Sequence, residues 1–105
     1  MTKTVKKRKA MQQATARFET ANGRKYLVQM CKHFAHKTEV EYTDEEGRCV
    51  LSPGPADMVA DEEGITFIVS AEDETGLQRL QEIITRHFVR FAFRENLEDL
   101  SWSAA

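Results

Sequence analysis

The chain's patterned region opens with alternation. From Thr15 to Thr20, Ala16 and Phe18 share one face and Arg17 and Glu19 the other, the period-two signature of a half-buried strand. The period then lengthens. Leu27, Met30, Cys31 and Phe34 fall at i, i+3, i+4 and i+7, an apolar helical stripe, while Lys25, Gln29, Lys32 and His36 take the opposite side. Thr20 or Asn22 can cap this helix. Its end is expected near Lys37, where basic side chains suit the negative end of the helix dipole.

Alternation returns in four short segments. Val40 and Tyr42 alternate with Glu39 and Glu41, Cys49 and Leu51 with Arg48 and Val50, Met58 and Ala60 with Asp57 and Val59, and Ile65, Phe67 and Val69 with Thr66 and Ile68. Two of the links are the same tetrapeptide, Asp44-Glu45-Glu46-Gly47 and Asp61-Glu62-Glu63-Gly64, each ending in a glycine able to adopt a left-handed turn. Ser52-Pro53-Gly54-Pro55 makes the bend between them. Links this short demand antiparallel hairpins, so the four strands are a meander. Asp73 then caps a long second helix with Glu74 in its first turn, and Leu77, Leu80, Ile84, His87, Phe88 and Phe91 form its stripe. Leu97, Leu100 and Trp102 are expected to fold back as a lid.

The order β-α-β-β-β-β-α predicts an α+β, two-layer sandwich: an antiparallel sheet with both helices on one face. A ferredoxin-like arrangement is the rival. It needs a strand after the second helix, and Glu98 to Trp102 is too short and polar to count as one.

Length and composition narrow this further. At 105 residues there is room for one core, and 41% apolar with 30% charged residues is a globular balance. Residues 1–13 are expected to be a disordered basic tail and 14–105 a single domain. No stretch reaches the apolar length of a membrane span, and no apolar region follows the N-terminal basic residues as in a secretory signal, so a cytoplasmic location is the default expectation. Lys3, Lys6, Lys7, Arg8 and Lys9 stand with no acid beside them, so the body is more acidic than the net charge of −2 suggests. An acidic body is a poor nucleic-acid footprint. Contact with RNA or anionic lipid through Lys6 to Lys9 is the last-ranked alternative. Cys31 and Cys49 form no CxxC pair and are expected to be reduced and packed as small apolar residues.

Candidate chemistry concentrates in the helices. His33 and His36 stand three apart, a spacing that can bring two imidazoles to one metal if His87 arrives from the second helix. Iron or zinc would be the ion. Against this, His87 lies in an apolar stripe, where a histidine is more often a core residue satisfied by a tyrosine such as Tyr42 or by a backbone carbonyl. His36 falls on the polar side, and His33 at the margin. Arg90, Arg94 and Glu95 end the second helix and read either as a local ion-pair network or as an anion site. No nucleophile elbow, phosphate loop or calcium-loop spacing is present. On the outward face of the meander, Val50, Val59 and Ile68 stand among charged residues, an apolar strip suited to a second copy or a host protein.

Tyr26-Leu27, Cys31-Lys32-His33-Phe34-Ala35-His36-Lys37 and His87-Phe88-Val89-Arg90-Phe91-Ala92-Phe93-Arg94-Glu95 together resemble the small bacterial family catalogued as domain of unknown function 2218. The resemblance spans about Thr15 to Trp102. It implies a compact domain of this kind without an established activity. It also implies proximity to iron acquisition, because some relatives are joined to flavin-dependent siderophore-interacting domains. The function expected is therefore a non-catalytic accessory or binding module, linked to iron or siderophore handling. The alternative is a metal- or haem-linked enzyme using His33, His36 and His87.

Overall fold

A computed structural model describes residues 11–104. Its elements are β1 (Gln12–Glu19), α1 (Gly23–Phe34), β2 (Val40–Tyr42), β3 (Glu46–Val50), β4 (Pro55–Ala60), β5 (Gly64–Ala71), α2 (Glu74–Phe91) and β6 (Trp102–Ala104), with a 3-10 turn at Phe93–Glu95. The α+β sandwich expected from the periodicities is the one observed. Its sheet runs β2-β3-β4-β5-β1-β6, antiparallel at every pairing. Helix α1 lies over β2 to β5 and α2 over β5 and β1, so one face of the sheet is covered and the other is left open by the helices.

Alternation sorts the two faces. Ala14 and Ala16 pair with Val69 and Phe67, and all four are buried beneath the helices. Thr15 and Arg17, opposite Ile68 and Thr66, point the other way. Of the outward apolar strip, Val50 and Val59 are exposed as expected, while Ile68 is half-buried. The cysteines are free thiols packed against the core, and Cys49's is pushed up by contact with Cys31 and by burial.

Four details differ from the sequence reading. The basic tail lies, through Ala10, outside the described residues, but Gln12 and Gln13 belong to β1, where they pair with Ala71 and Ser70. A sixth strand follows α2 after all. Ala14 to Ala16 would otherwise be an unpaired edge, and three residues suffice to cover it once Leu100 is buried and the Trp102 indole donates to Thr85 Oγ1 at 2.9 Å. Without β2 and β3 the strands β4-β5-β1-β6 have the arrangement of the discounted β-α-β-β-α-β rival.

Helix α1 stops at Phe34, three residues before Lys37. The Phe34 carbonyl receives the backbone N–H of Lys37 and of Thr38 and the Thr38 hydroxyl, all within 3.0 Å, which turns the chain out of the helix. His36 is therefore in a turn, not on a helix. The twin turns also differ from expectation: no described glycine has positive φ. Thr43 and Asp61 close the two turns by accepting from the N–H groups two and three residues ahead. The glycines serve close packing instead. A Cβ on Gly47 would stand 2.6 Å from Cys31 Sγ, and one on Gly64 would stand 2.5 Å from the Phe18 carbonyl oxygen.

Candidate functional site

The helices meet along a seam whose middle is Phe88. Its ring is fully buried and makes edge contacts with Phe67 at 4.9 Å, Tyr26 at 5.4 Å and Phe18 at 5.7 Å between centroids. A polar cluster lies at each end of α1.

Where α1 begins, the cluster is closed. Tyr26 sits on the inner face of the helix, 4% exposed, so its hydroxyl needs a partner inside the protein. It donates to Glu95 Oε2, which also accepts from Thr20 Oγ1 at 2.8 Å and from Asn22 Nδ2 at 3.2 Å. Burial opposes ionisation of Glu95, but these hydrogen bonds outweigh it and hold the carboxyl below its ordinary range. Tyr26 is pushed up to about 12, first by burial and then by its bond to Glu95. One carboxylate oxygen thus ties the β1–α1 junction to the turn after α2.

Where α1 ends, the cluster is open. The His33 and His87 rings are 4.9 Å apart, and His87 also lies 5.0 Å from Phe34. His87 is half-buried rather than deep in the core, and its Nδ1–H donates to the Ile83 carbonyl at 2.7 Å. A carbonyl, not Tyr42, is thus its partner. That bond sets the tautomer of the neutral ring and leaves Nε2 as the nitrogen available to a ligand. His33 stands at the surface with its pKa lowered, by burial first and then by His87, His36, Lys37 and Arg90. A cavity of about 420 Å³ opens beside the pair, lined by His33, Phe34, His36, Lys37, Thr38, Leu51, Ser52, Ile83 and His87. Its lining mixes the apolar side chains of Phe34, Leu51 and Ile83 with polar ones.

The three histidines therefore share one cavity, but they do not form a ligand set. Among the described residues no group of three or more His, Cys, Asp or Glu side chains is placed to hold a metal ion. The Arg90, Arg94 and Glu95 trio separates. Neither arginine is within ion-pair distance of Glu95 or another described carboxylate. Arg94 lies 5.3 Å from the Phe93 ring centroid, Glu95 turns to Tyr26, and Arg90 acts on His33. The sequence reading missed two groups here: the Thr20, Asn22 and Tyr26 donors to Glu95, and the Leu51, Ser52 and Ile83 wall of the cavity.

Among the described residues no helix is long and apolar enough to cross a membrane. Residues 15–103 match the model of the family described as an uncharacterized protein conserved in bacteria (DUF2218). No curated protein matches. The fold is similar to the NMR structure of PA4090 from Pseudomonas aeruginosa, with a TM-score of 0.73 and 28% identity over 90% of this chain and 96% of that one.

Proposed function

The chain belongs to this uncharacterised bacterial family, and from that premise we propose that it is a non-catalytic binding module whose ligand sits in the cavity where α1 ends. The observation that supports this most is the His33–His87 pair, with rings 4.9 Å apart and one His87 nitrogen already committed to a backbone carbonyl. Two imidazoles beside Phe34, Leu51 and Ile83 are polar groups on a largely apolar pocket, and about 420 Å³ falls within the usual range for small-molecule sites. Among the described residues that line the cavity no nucleophile–base–orienter arrangement accompanies them, which favours binding over turnover.

Backbone-resolved NMR titration with a library of small fragments tests this. Ligands should move the resonances of Phe34, Leu51, Ser52 and Ile83 together, and His87→Gln should weaken that response. If no fragment moves them, the cavity is not a ligand site.

The metal-linked alternative has the same histidine pair in its favour, with further positions supplied by water or by the ligand. Zinc and ferrous iron titrations of the wild type and of His33→Ala/His87→Ala decide it: equal uptake by both excludes these residues. The link to iron or siderophore handling is a part of the proposal carried by the family resemblance, and a cytoplasmic setting is a part carried by the apolar pattern of the sequence. We assign the open sheet face, with exposed Val50 and Val59, to contact with a second copy or a host protein, and a sedimentation measurement showing only monomer at all concentrations removes the homodimer.

A further inference from the structure

We infer that the cavity takes a small organic monoanion with an apolar body, an aryl or short alkyl carboxylate; this rests on the cavity being the ligand site. The lining divides by chemistry. Phe34, Leu51 and Ile83 supply apolar lining, and Thr38 and Ser52 bring hydroxyls. Every ionisable group in the lining is a potential cation: His33, His36, Lys37 and His87. The side chains that, after burial, lower the His33 pKa are His87, His36, Lys37 and Arg90, none of them a carboxylate. This is unusual for a chain with 17 acidic residues against 15 Lys and Arg. Three of the described arginines, Arg17, Arg24 and Arg48, form ion pairs with Glu19, Asp61, Glu45 and Asp57, whereas Arg79, Arg86, Arg90 and Arg94 form none with a described carboxylate. No carboxylate is among the residues lining the cavity, so a ligand carrying negative charge complements it.

Two physical limits narrow the class. The cavity lies at the C-terminal end of α1, whose dipole contributes roughly half a negative charge. Lys37 and Arg90 outweigh that for a monoanion, and the Phe34 carbonyl is already covered by three donors. A phosphate dianion meets the same negative end without the backbone N–H cradle that normally holds it. Size sets the other limit. Roughly 150 Å³ accommodates a benzene ring, so about 420 Å³ admits a substituted ring or a short chain.

The test compares three probes by NMR titration of the full chain: benzoate, its neutral isostere benzamide, and inorganic phosphate. Benzoate should move the resonances of His33, Leu51, Ser52 and His87 and bind about tenfold more tightly than benzamide. In Lys37→Gln, an exposed and structurally mild change, the benzoate affinity should fall towards that of benzamide. Equal binding of benzoate and benzamide overturns the anion while leaving the cavity as a ligand site. Phosphate matching benzoate at the same residues overturns the apolar body. Binding of none of the three defeats this inference, and failure across the wider fragment library defeats the cavity reading beneath it.

Discussion

The two ends of α1 are built from similar materials and put them to opposite use. At the beginning, three donors from Thr20, Asn22 and Tyr26 converge on one Glu95 oxygen, and the cluster is sealed by its own hydrogen bonds. At the end, two imidazoles lie 4.9 Å apart at a tilt of 48°, one nitrogen is spent on the Ile83 carbonyl, and other polar groups line a cavity beside them. A polar group buried with its partners stabilises a fold; polar groups held in place without partners are prepared for something that arrives. Of the segments that carry the family resemblance, His87 to Glu95 reaches both ends, with His87 at the open one and Glu95 at the closed one.

The largest effect is expected at the shared middle. Phe88→Ala removes the ring that touches Phe18, Tyr26 and Phe67, and should cost about 3–5 kcal/mol in urea unfolding, weakening both ends together. If only one end responds, the seam is not a unit. Glu95→Ala should come next. It leaves the buried Tyr26 hydroxyl without its acceptor, at a cost of about 2 kcal/mol. The pH dependence of stability marks the same cluster. Glu95's carboxyl is held low, so its contribution is present above the ordinary value of 4.5 and is lost as pH falls through the lowered value. Tyr26 is raised, so its contribution is intact below 10.0 and disappears as pH rises through about 12. Both losses should vanish from the stability profile of Glu95→Ala/Tyr26→Phe.

The smallest effect belongs to the open end. His33 is lowered from 6.5, so the folded state binds fewer protons than the unfolded one just below that value. Stability should therefore dip as pH falls through this window and then level off. The ring is at the surface, so the dip is small. An imidazole titration by NMR that places His33 above 6.5 would contradict the cationic surroundings proposed for the cavity.

Much of the fold was readable because it is local. Leu27, Met30, Cys31 and Phe34 fall on one helical face whatever lies opposite, and Asp73 caps α2 through a bond to Gly76 only three residues away. What escaped depends on distant partners. Glu95 bonds to residues 69 to 75 positions earlier, so nothing in its own neighbourhood distinguishes it from an acid beside two arginines. The β6 strand forms because β1 has an edge to cover, which its own three residues do not reveal. Periodicity puts His33 at the margin of one helical stripe and His87 within the other, but not His87 half-buried at a cavity. Their approach to 4.9 Å depends on how the two helices dock, and spacing along one helix carries no information about that. His36 left the helix because Thr38 and the preceding backbone close on the Phe34 carbonyl, a competition between side-chain and helical hydrogen bonding that periodicity does not register.

The division between a sealed end and an open end is tested most directly by the benzoate dissociation constant of His87→Gln and Glu95→Ala, measured side by side by NMR under conditions where both are folded. His87→Gln should remain nearly as stable as the wild type while binding about tenfold more weakly, and Glu95→Ala should bind like the wild type despite its lost stability. Unchanged binding in His87→Gln, or equal loss of binding in folded Glu95→Ala, would contradict the account.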